Sequence, residues 1–161
     1  MLFSVFFAGV STASELPFRV QAELFRKIFE YDRTLSRNNW SLLIVYTEKG
    51  NAGVSDLVSA FRSAGISASA APSATALGKT TGTSVVYFFP EAGTDSLRAV
   101  CASLGILTIS GTSSLARNGG VSVAVGLRPD SRPEIVVNLP RVKAERHDLA
   151  SGLLSLAEIV R

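Results

Sequence analysis

Residues 78–83 read GKTTGT, and after APSATAL they look like the end of a phosphate-binding loop. Such a loop needs Gly-x-x-x-x-Gly-Lys-Ser/Thr placed after a strand and before a helix, because the helix N-terminus presents its amides to the phosphates. Here the residue five before Gly78 is Ser73, and the stretch runs into the β-rich SVVYFF rather than into a helix. The glycines therefore read as a loop before a strand, and no nucleotide is expected there. Other reactive groups are sparse. Cys101 is the single cysteine, so no internal disulfide can form. With Leu97 and Leu104 at helical spacing it reads as a small core hydrophobe. His147, the single histidine, sits in AERHDLA and reads as a surface or helix-start residue; alone, without cysteine partners, it makes no ordinary zinc site. GTSSL offers Ser113 and Ser114 but lacks the Gly-x-Ser-x-Gly elbow. The carboxylate pairs Glu30/Asp32 and Glu145/Asp148 lie among Arg and Lys and read as solvated surface. No catalytic residue, cofactor site or metal site is nominated, and a role other than catalysis is expected.

The elements that would position these groups alternate. LPFRVQAELFRKIFEYDRTL (16–35) carries Val20, Leu24 and Ile28 at i, i+4, i+8, with Phe25 and Phe29 beside them and charges opposite, which predicts an amphipathic helix. SLLIVYT, SVVYFF and ILTIS are continuous apolar runs, as in strands covered on both faces. VSDLVSAFRSAG and TDSLRAVCASLG predict helices stopping at Gly65 and Gly105, the second with Thr94 as N-cap. With ISASA as a short strand the order is α-β-α-β-β-α-β, which argues a mostly parallel sheet with helices on both faces. In the last third, SSLARNGG gives one or two helical turns. VSVAVGL and EIVVNL then form an antiparallel hairpin around RPDSRP. HDLASGLLSLAEIV (147–160) places Leu149, Leu153, Leu156 and Val160 on one stripe and predicts a final helix. The fold class expected is a single-domain α/β layered sheet.

The chain has 161 residues, 47% of them apolar and 18% charged, which excludes a disordered chain. Its net charge of +3 comes from 16 basic residues interspersed with 13 acidic ones, with no basic stripe, so no nucleic-acid partner is expected. Residues 1–14, MLFSVFFAGVSTAS, carry an apolar run too short to span a bilayer, followed by small residues at Ser11 and Ala13. We read 1–14 as a secretory signal that lacks a basic start, and 15–161 as the domain. A buried N-terminal strand is the alternative for that stretch. A signal implies a periplasmic protein with no membrane insertion after cleavage.

GILTISGTSSLARNGGVSVAVGL, followed by RPEIVVNLPRVKAERHDLASGLLSLAEIV, resembles the YfiR-like family of small bacterial periplasmic proteins. The resemblance is carried by Gly119 and Gly120, by Val137, Asn138 and Leu139, by Leu153, Leu154, Leu156 and Ala157, and upstream by LFRKIFEYDRTL. It covers roughly 16–161 and rests on the order and spacing of short, mostly structural motifs. It implies a regulator that binds the periplasmic part of a membrane-bound diguanylate cyclase or sensor kinase. Such a regulator represses its partner, lowering cyclic-di-GMP output and biofilm formation. A homodimer is also implied. Well-studied members carry paired cysteines; this chain has Cys101 alone, so disulfide sensing is not carried over.

A repressor must favour one state of its partner, which calls for an exposed, partly apolar surface. Phe25, Phe29 and Tyr31 on the first helix and Val136 at the hairpin edge are the candidates; the equal alternative is that these aromatics pack inside the core, as aromatic stripes usually do. Asn138, among buried strand residues, is expected to make a structural hydrogen bond near Gly119 and Gly120. The second functional class is a small-ligand binding module. In an open α/β sheet the ligand sits beyond the carboxyl ends of the strands, here the loops with Glu48, Thr94, Thr112, Ser113 and Ser114. A hydrolase would need a base near Ser113 or Ser114.

Overall fold

Seven strands form one sheet in the order β2-β1-β3-β4-β5-β6-β7 in the computed structural model, which describes residues 15–161. Residues 1–14, with the secretory reading, lie outside the described residues. The strands are β1 (Ser41–Tyr46), β2 (Ser67–Pro72), β3 (Val85–Phe88), β4 (Leu107–Ser110), β5 (Val123–Leu127), β6 (Pro133–Asn138) and β7 (Glu158–Val160). All neighbours pair in parallel except β5 and β6, which form the antiparallel hairpin.

The continuous apolar runs place alternate side chains on two cores, as the period of two in a strand requires. Leu42, Ile44, Val85, Tyr87, Leu107, Ile109, Val123 and Val125 face one layer. It is built from α1 (Phe18–Glu30) and α2 (Val54–Ser63). Val142 of α6 (Leu139–Ala144) and Leu153 of α7 (Ser151–Leu154) complete it. Leu43, Val45, Val86, Phe88 and Ala124 face the other layer. That layer is built from α3 (Ser73–Ala76), α4 (Asp95–Leu104) and α5 (Ser113–Arg117). The chain is thus a single α/β domain with a mostly parallel sheet and helices on both faces. No helix among the described residues is long and apolar enough to cross a membrane.

The structure revises three local expectations. The buried stripe of α1 is Gln21, Ala22, Phe25, Ile28 and Phe29, while Val20 is exposed. The aromatic rings, which bury the larger area, set the helix rotation at the expense of Val20. On α4, Leu97 and Cys101 are buried but Leu104 is exposed, because the helix ends there as Gly105 takes a left-handed conformation (φ 68°). Burial pushes the Cys101 thiol up to about 12, so it is inert at neutral pH. Finally, the helix over 147–160 shrinks to Ser151–Leu154, and Glu158–Val160 becomes a strand after the helices. The edge of β6 explains this: Val136, Val137 and Asn138 gain partners in Glu158, Ile159 and Val160. That pairing satisfies backbone groups that a longer helix would have left at an open sheet edge.

Phe25 is the centre of the first core. Its ring lies 6.2 Å from those of Phe29, Phe61 and Tyr87. Truncation here opens a large void, so Phe25→Ala is expected to lower stability by about 3–5 kcal/mol. Urea unfolding followed by circular dichroism measures this.

Candidate functional site

The reversal of strand order around β1 puts the crevice where ligands bind in open α/β sheets beyond the carboxyl ends of β1 and β3. In this chain residues 16–21 occupy that place. The Phe18 ring packs edge-on against Phe89, just after β3, with centroids 6.4 Å apart. The same ring touches Gly53 in the loop after β1, where any Cβ would collide with it. Gln21, fully buried, donates from Nε2 to the Leu16 carbonyl (2.8 Å) and accepts at Oε1 from the Tyr87 hydroxyl (2.8 Å). The Gly111 amide, at the end of β4, donates to the same hydroxyl (3.0 Å). A side chain on Gly111 would strike both Gln21 and Tyr87. Burial raises the Tyr87 phenol well above its ordinary value, so it stays a neutral donor.

The five loop residues expected to hold a ligand do not converge. Glu48 is exposed in a 3₁₀ turn, and Thr94 uses its hydroxyl to cap α4 by accepting from the Leu97 amide (3.2 Å). Ser113 is packed against Gly126, and the Thr112 amide donates to the Ser110 hydroxyl (3.2 Å). Ser114 accepts at its carbonyl from the Asn118 amide (2.9 Å). None of the five residues lines the five best-formed concavities of the described surface, of about 440–620 Å³. The imidazole of His147 is engaged elsewhere and does not face Ser113 or Ser114.

The partner-binding candidates divide. Phe25 and Phe29 are buried in the core and cannot offer a contact surface, because the sheet takes the aromatic stripe. Val136 is buried too: β6 lies between β5 and β7 and is not an edge. Tyr31 alone is exposed, lying against Gly152 of α7, and Leu156, two residues beyond that helix, is 68% exposed. Asn138 is structural, as expected from its burial. Its Nδ2 donates to the Ala116 carbonyl (2.9 Å) and its Oδ1 accepts from the Arg141 amide (3.0 Å), capping α6. Gly119, with φ 79°, sits beside that amide, and Gly120 closes α5 by donating to the Leu115 carbonyl (2.7 Å).

Sequence reasoning missed two buried ionisable clusters, both at the amino ends of the central strands. Glu145, placed on the surface by its charged neighbours, is fully buried. Its carboxylate accepts from the Thr108 amide (2.8 Å), the Thr108 hydroxyl (2.7 Å), the Ser122 hydroxyl (2.6 Å) and Arg141 Nε (3.0 Å). Burial raises its pKa, and the hydrogen bonds and Arg141 pull against that rise. Asp32 and His147 are buried as well and pair at 2.5 Å through Nδ1, while Nε2 faces the Gly105 carbonyl at 2.7 Å. A carbonyl can only accept, so both ring nitrogens face acceptors and the geometry suits imidazolium. Burial alone would lower the His147 pKa, but the hydrogen bond and charge of Asp32 outweigh it and the pKa is raised. The only sequence signal for either cluster was negative: two acids and the sole histidine close to apolar stripes.

No protein-family model and no curated protein sequence matches this chain. Solved structures do. One is the ABC domain in complex with L-Trp from Streptococcus pneumoniae, with a TM-score of 0.63 at 11% identity, covering 86% of this chain and 60% of that one. Another is a conserved domain protein from Vibrio cholerae O1 biovar eltor, with a TM-score of 0.64 at 17% identity, covering 92% of this chain and 62% of that one. These likenesses show the α/β fold alone. The chain spans about three fifths of the length of the structures it matches.

Two measurements test the buried clusters. Glu145→Ala strands the Thr108 amide and the Arg141 guanidinium, and is expected to cost about 3–5 kcal/mol in urea unfolding, as for a broken buried pair. His147 holds its proton more tightly folded than unfolded. Its contribution is therefore complete below its ordinary value of 6.5 and is lost as the pH rises through the higher folded value. Melting temperature is expected to fall with rising pH above 6.5, and His147→Gln is expected to remove that slope.

Proposed function

We propose that this chain is a periplasmic protein-binding regulator of the YfiR-like kind, which represses a membrane-bound signalling enzyme by binding its periplasmic part. The observation that supports it is the filled crevice. Phe18 and Gln21 take the place a ligand would hold beyond β1 and β3, the Thr94 hydroxyl is spent on capping α4, and Ser113 is packed against Gly126. A domain of this shape with its switch point closed by its own first helix is suited to offering an outer surface. The order of motifs from Gly119–Gly120 through Asn138 to the Leu-rich end supports the family. The absence of any nominated nucleophile–base pair in the sequence supports a non-enzymatic role. A diguanylate cyclase or sensor kinase is the partner class, with no cofactor required and a homodimer as the working assembly.

The surface for the partner is the one around α7, where the exposed Tyr31 lies against Gly152 and the exposed Leu156 follows two residues after the helix. Large apolar and aromatic anchors of this kind carry most of an interface's energy. The second function, a small-ligand binding module, is favoured by one observation: a similar fold occurs in complex with L-Trp in the Streptococcus domain. Such a ligand would require residues 16–21 to move.

Affinity capture of the tagged chain from detergent-solubilised envelopes is expected to recover a cyclase or kinase. The doubly substituted Tyr31→Ala, Leu156→Asp chain is expected to retain its melting temperature and to recover at least roughly tenfold less, on the scale of one lost hot spot. Recovery unchanged by both substitutions would refute the assigned surface. Capture of a transporter with no signalling enzyme would refute the function.

A further inference from the structure

A concavity lies at the end of the sheet away from the filled crevice. It holds about 620 Å³ and is formed where Ser41 opens β1, Ser67 opens β2, and Gly82 and Thr83 lead into β3. The GKTTGT stretch is its far wall, contributing Lys79, Thr81, Gly82 and Thr83. The near wall is the end of α2 with Arg62, and the floor is the start of β2 with Ser67 and Ser69. No Asp or Glu lines it. Among the described residues neither Arg62 nor Lys79 enters an ion pair.

The guanidinium of Arg62 is also held in place. Its Nε donates to the Ala68 carbonyl at 3.0 Å, which fixes the plane at the pocket rim and leaves the two terminal nitrogens as donors. The Thr83 hydroxyl donates back to the Lys79 carbonyl (3.1 Å), and the Ser41 hydroxyl donates to the Gly82 carbonyl (2.7 Å). These bonds hold the Lys79–Thr83 wall in shape. What remains is a concavity with two cations, uncommitted hydroxyls on Ser67, Ser69 and Thr81, and no carboxylate to neutralise it.

We infer that this pocket binds a soluble phosphate monoester of a small polar molecule, its phosphate held between Arg62 and Lys79. A fixed guanidinium plus a mobile ammonium is the donor set that oxyanions favour, since charge-assisted bonds are the strong ones. The volume exceeds that of a bare phosphate and falls within the range of small-molecule sites, roughly 300–1,000 Å³. The lining hydroxyls suit a polar remainder such as a polyol. The site owes nothing to a phosphate-binding loop: no helix follows Lys79, and the positive field comes from side chains alone. It lies at the strand ends opposite Phe18, and neither Tyr31 nor Leu156 lines it.

The probes are inorganic phosphate and glycerol phosphate, titrated into the whole purified chain by isothermal calorimetry and by amide chemical shifts. Saturable binding is expected, tighter for glycerol phosphate, weakening as salt rises, with shifts centred on Ser67–Ser69 and Lys79–Thr83. Lys79→Gln, on the exposed wall, is expected to weaken it by about tenfold, the loss of one charge-assisted bond, without changing the melting temperature. Arg62→Gln is expected to act alike, and Arg128→Gln, remote from the pocket, to change nothing. No saturable binding, or binding indifferent to Lys79→Gln and Arg62→Gln, overturns the inference. So does a response only to vesicles of phosphatidylcholine with phosphatidic acid, which would place a lipid headgroup there instead.

Discussion

A single buried carboxylate closes the amino end of this sheet. β4 and β5 pair at Ile109–Val123 and Ser110–Ala124, and one step earlier the Ser122 amide still donates to the Thr108 carbonyl (3.1 Å). The Thr108 amide takes a side-chain acceptor, without which the interior would hold an unpaired donor in a gap of the ladder. Glu145 fills the gap, taking the Thr108 amide and the hydroxyls of Thr108 and Ser122, while Arg141 one turn earlier balances its charge. Burying a carboxylate is costly unless every oxygen is engaged, and here each is. The arrangement fixes the direction in which α6 leaves the hairpin. From that direction follow the position of His147 over the Gly105 carbonyl and its pairing with Asp32. The final third of the chain is thereby tied to the end of α1, and Asp32 and Leu149 bridge as a short antiparallel contact.

That tie bears on function through the first helix. α1 is held at its C-terminal end by the Asp32–His147 pair and at its N-terminal end by Gln21, Tyr87 and Phe18. Anchored twice, it lies across the sheet with its N-terminal residues over the switch point. The position that gives open α/β sheets their ligand chemistry is thus occupied by core-like packing. What the chain can present is its exterior: the region around α7 to a protein, and the cationic concavity at the opposite strand ends to a small anion. Both lie outside the loops where the fold class alone would direct attention.

Much of the architecture was legible in the sequence. SLLIVY, SVVYFF and ILTIS read as doubly covered strands because burial on both faces leaves little room for the alternating polar positions of a half-exposed strand. Thr94 and Gly105 bounded α4 because capping chemistry is local. The hairpin followed from two alternating runs joined by RPDSRP. The final strand was not legible: Leu149, Leu153 and Leu156 fit a helical period, and only the unpaired edge of β6 decides otherwise. Whether Phe25 and Phe29 face a partner or the core was open in the sequence, and Val136 read as a hairpin edge; all three are buried, since a stripe's width does not say how many layers cover it.

The sequence by itself determined the α/β class, the order of the first elements and the lack of an obvious reactive constellation, because these depend on spacing and residue type along the chain. Tertiary structure decided where the polar groups went. Glu145, Asp32 and His147 have charged neighbours in sequence and buried partners in space, at separations of 37 residues for Thr108–Glu145 and 115 for Asp32–His147. Likewise Arg62 and Lys79 become one pocket only because β1, β2 and β3 begin side by side. Whether a polar side chain is solvated, paired or poised depends on which distant backbone ends meet, and that is set by the sheet order.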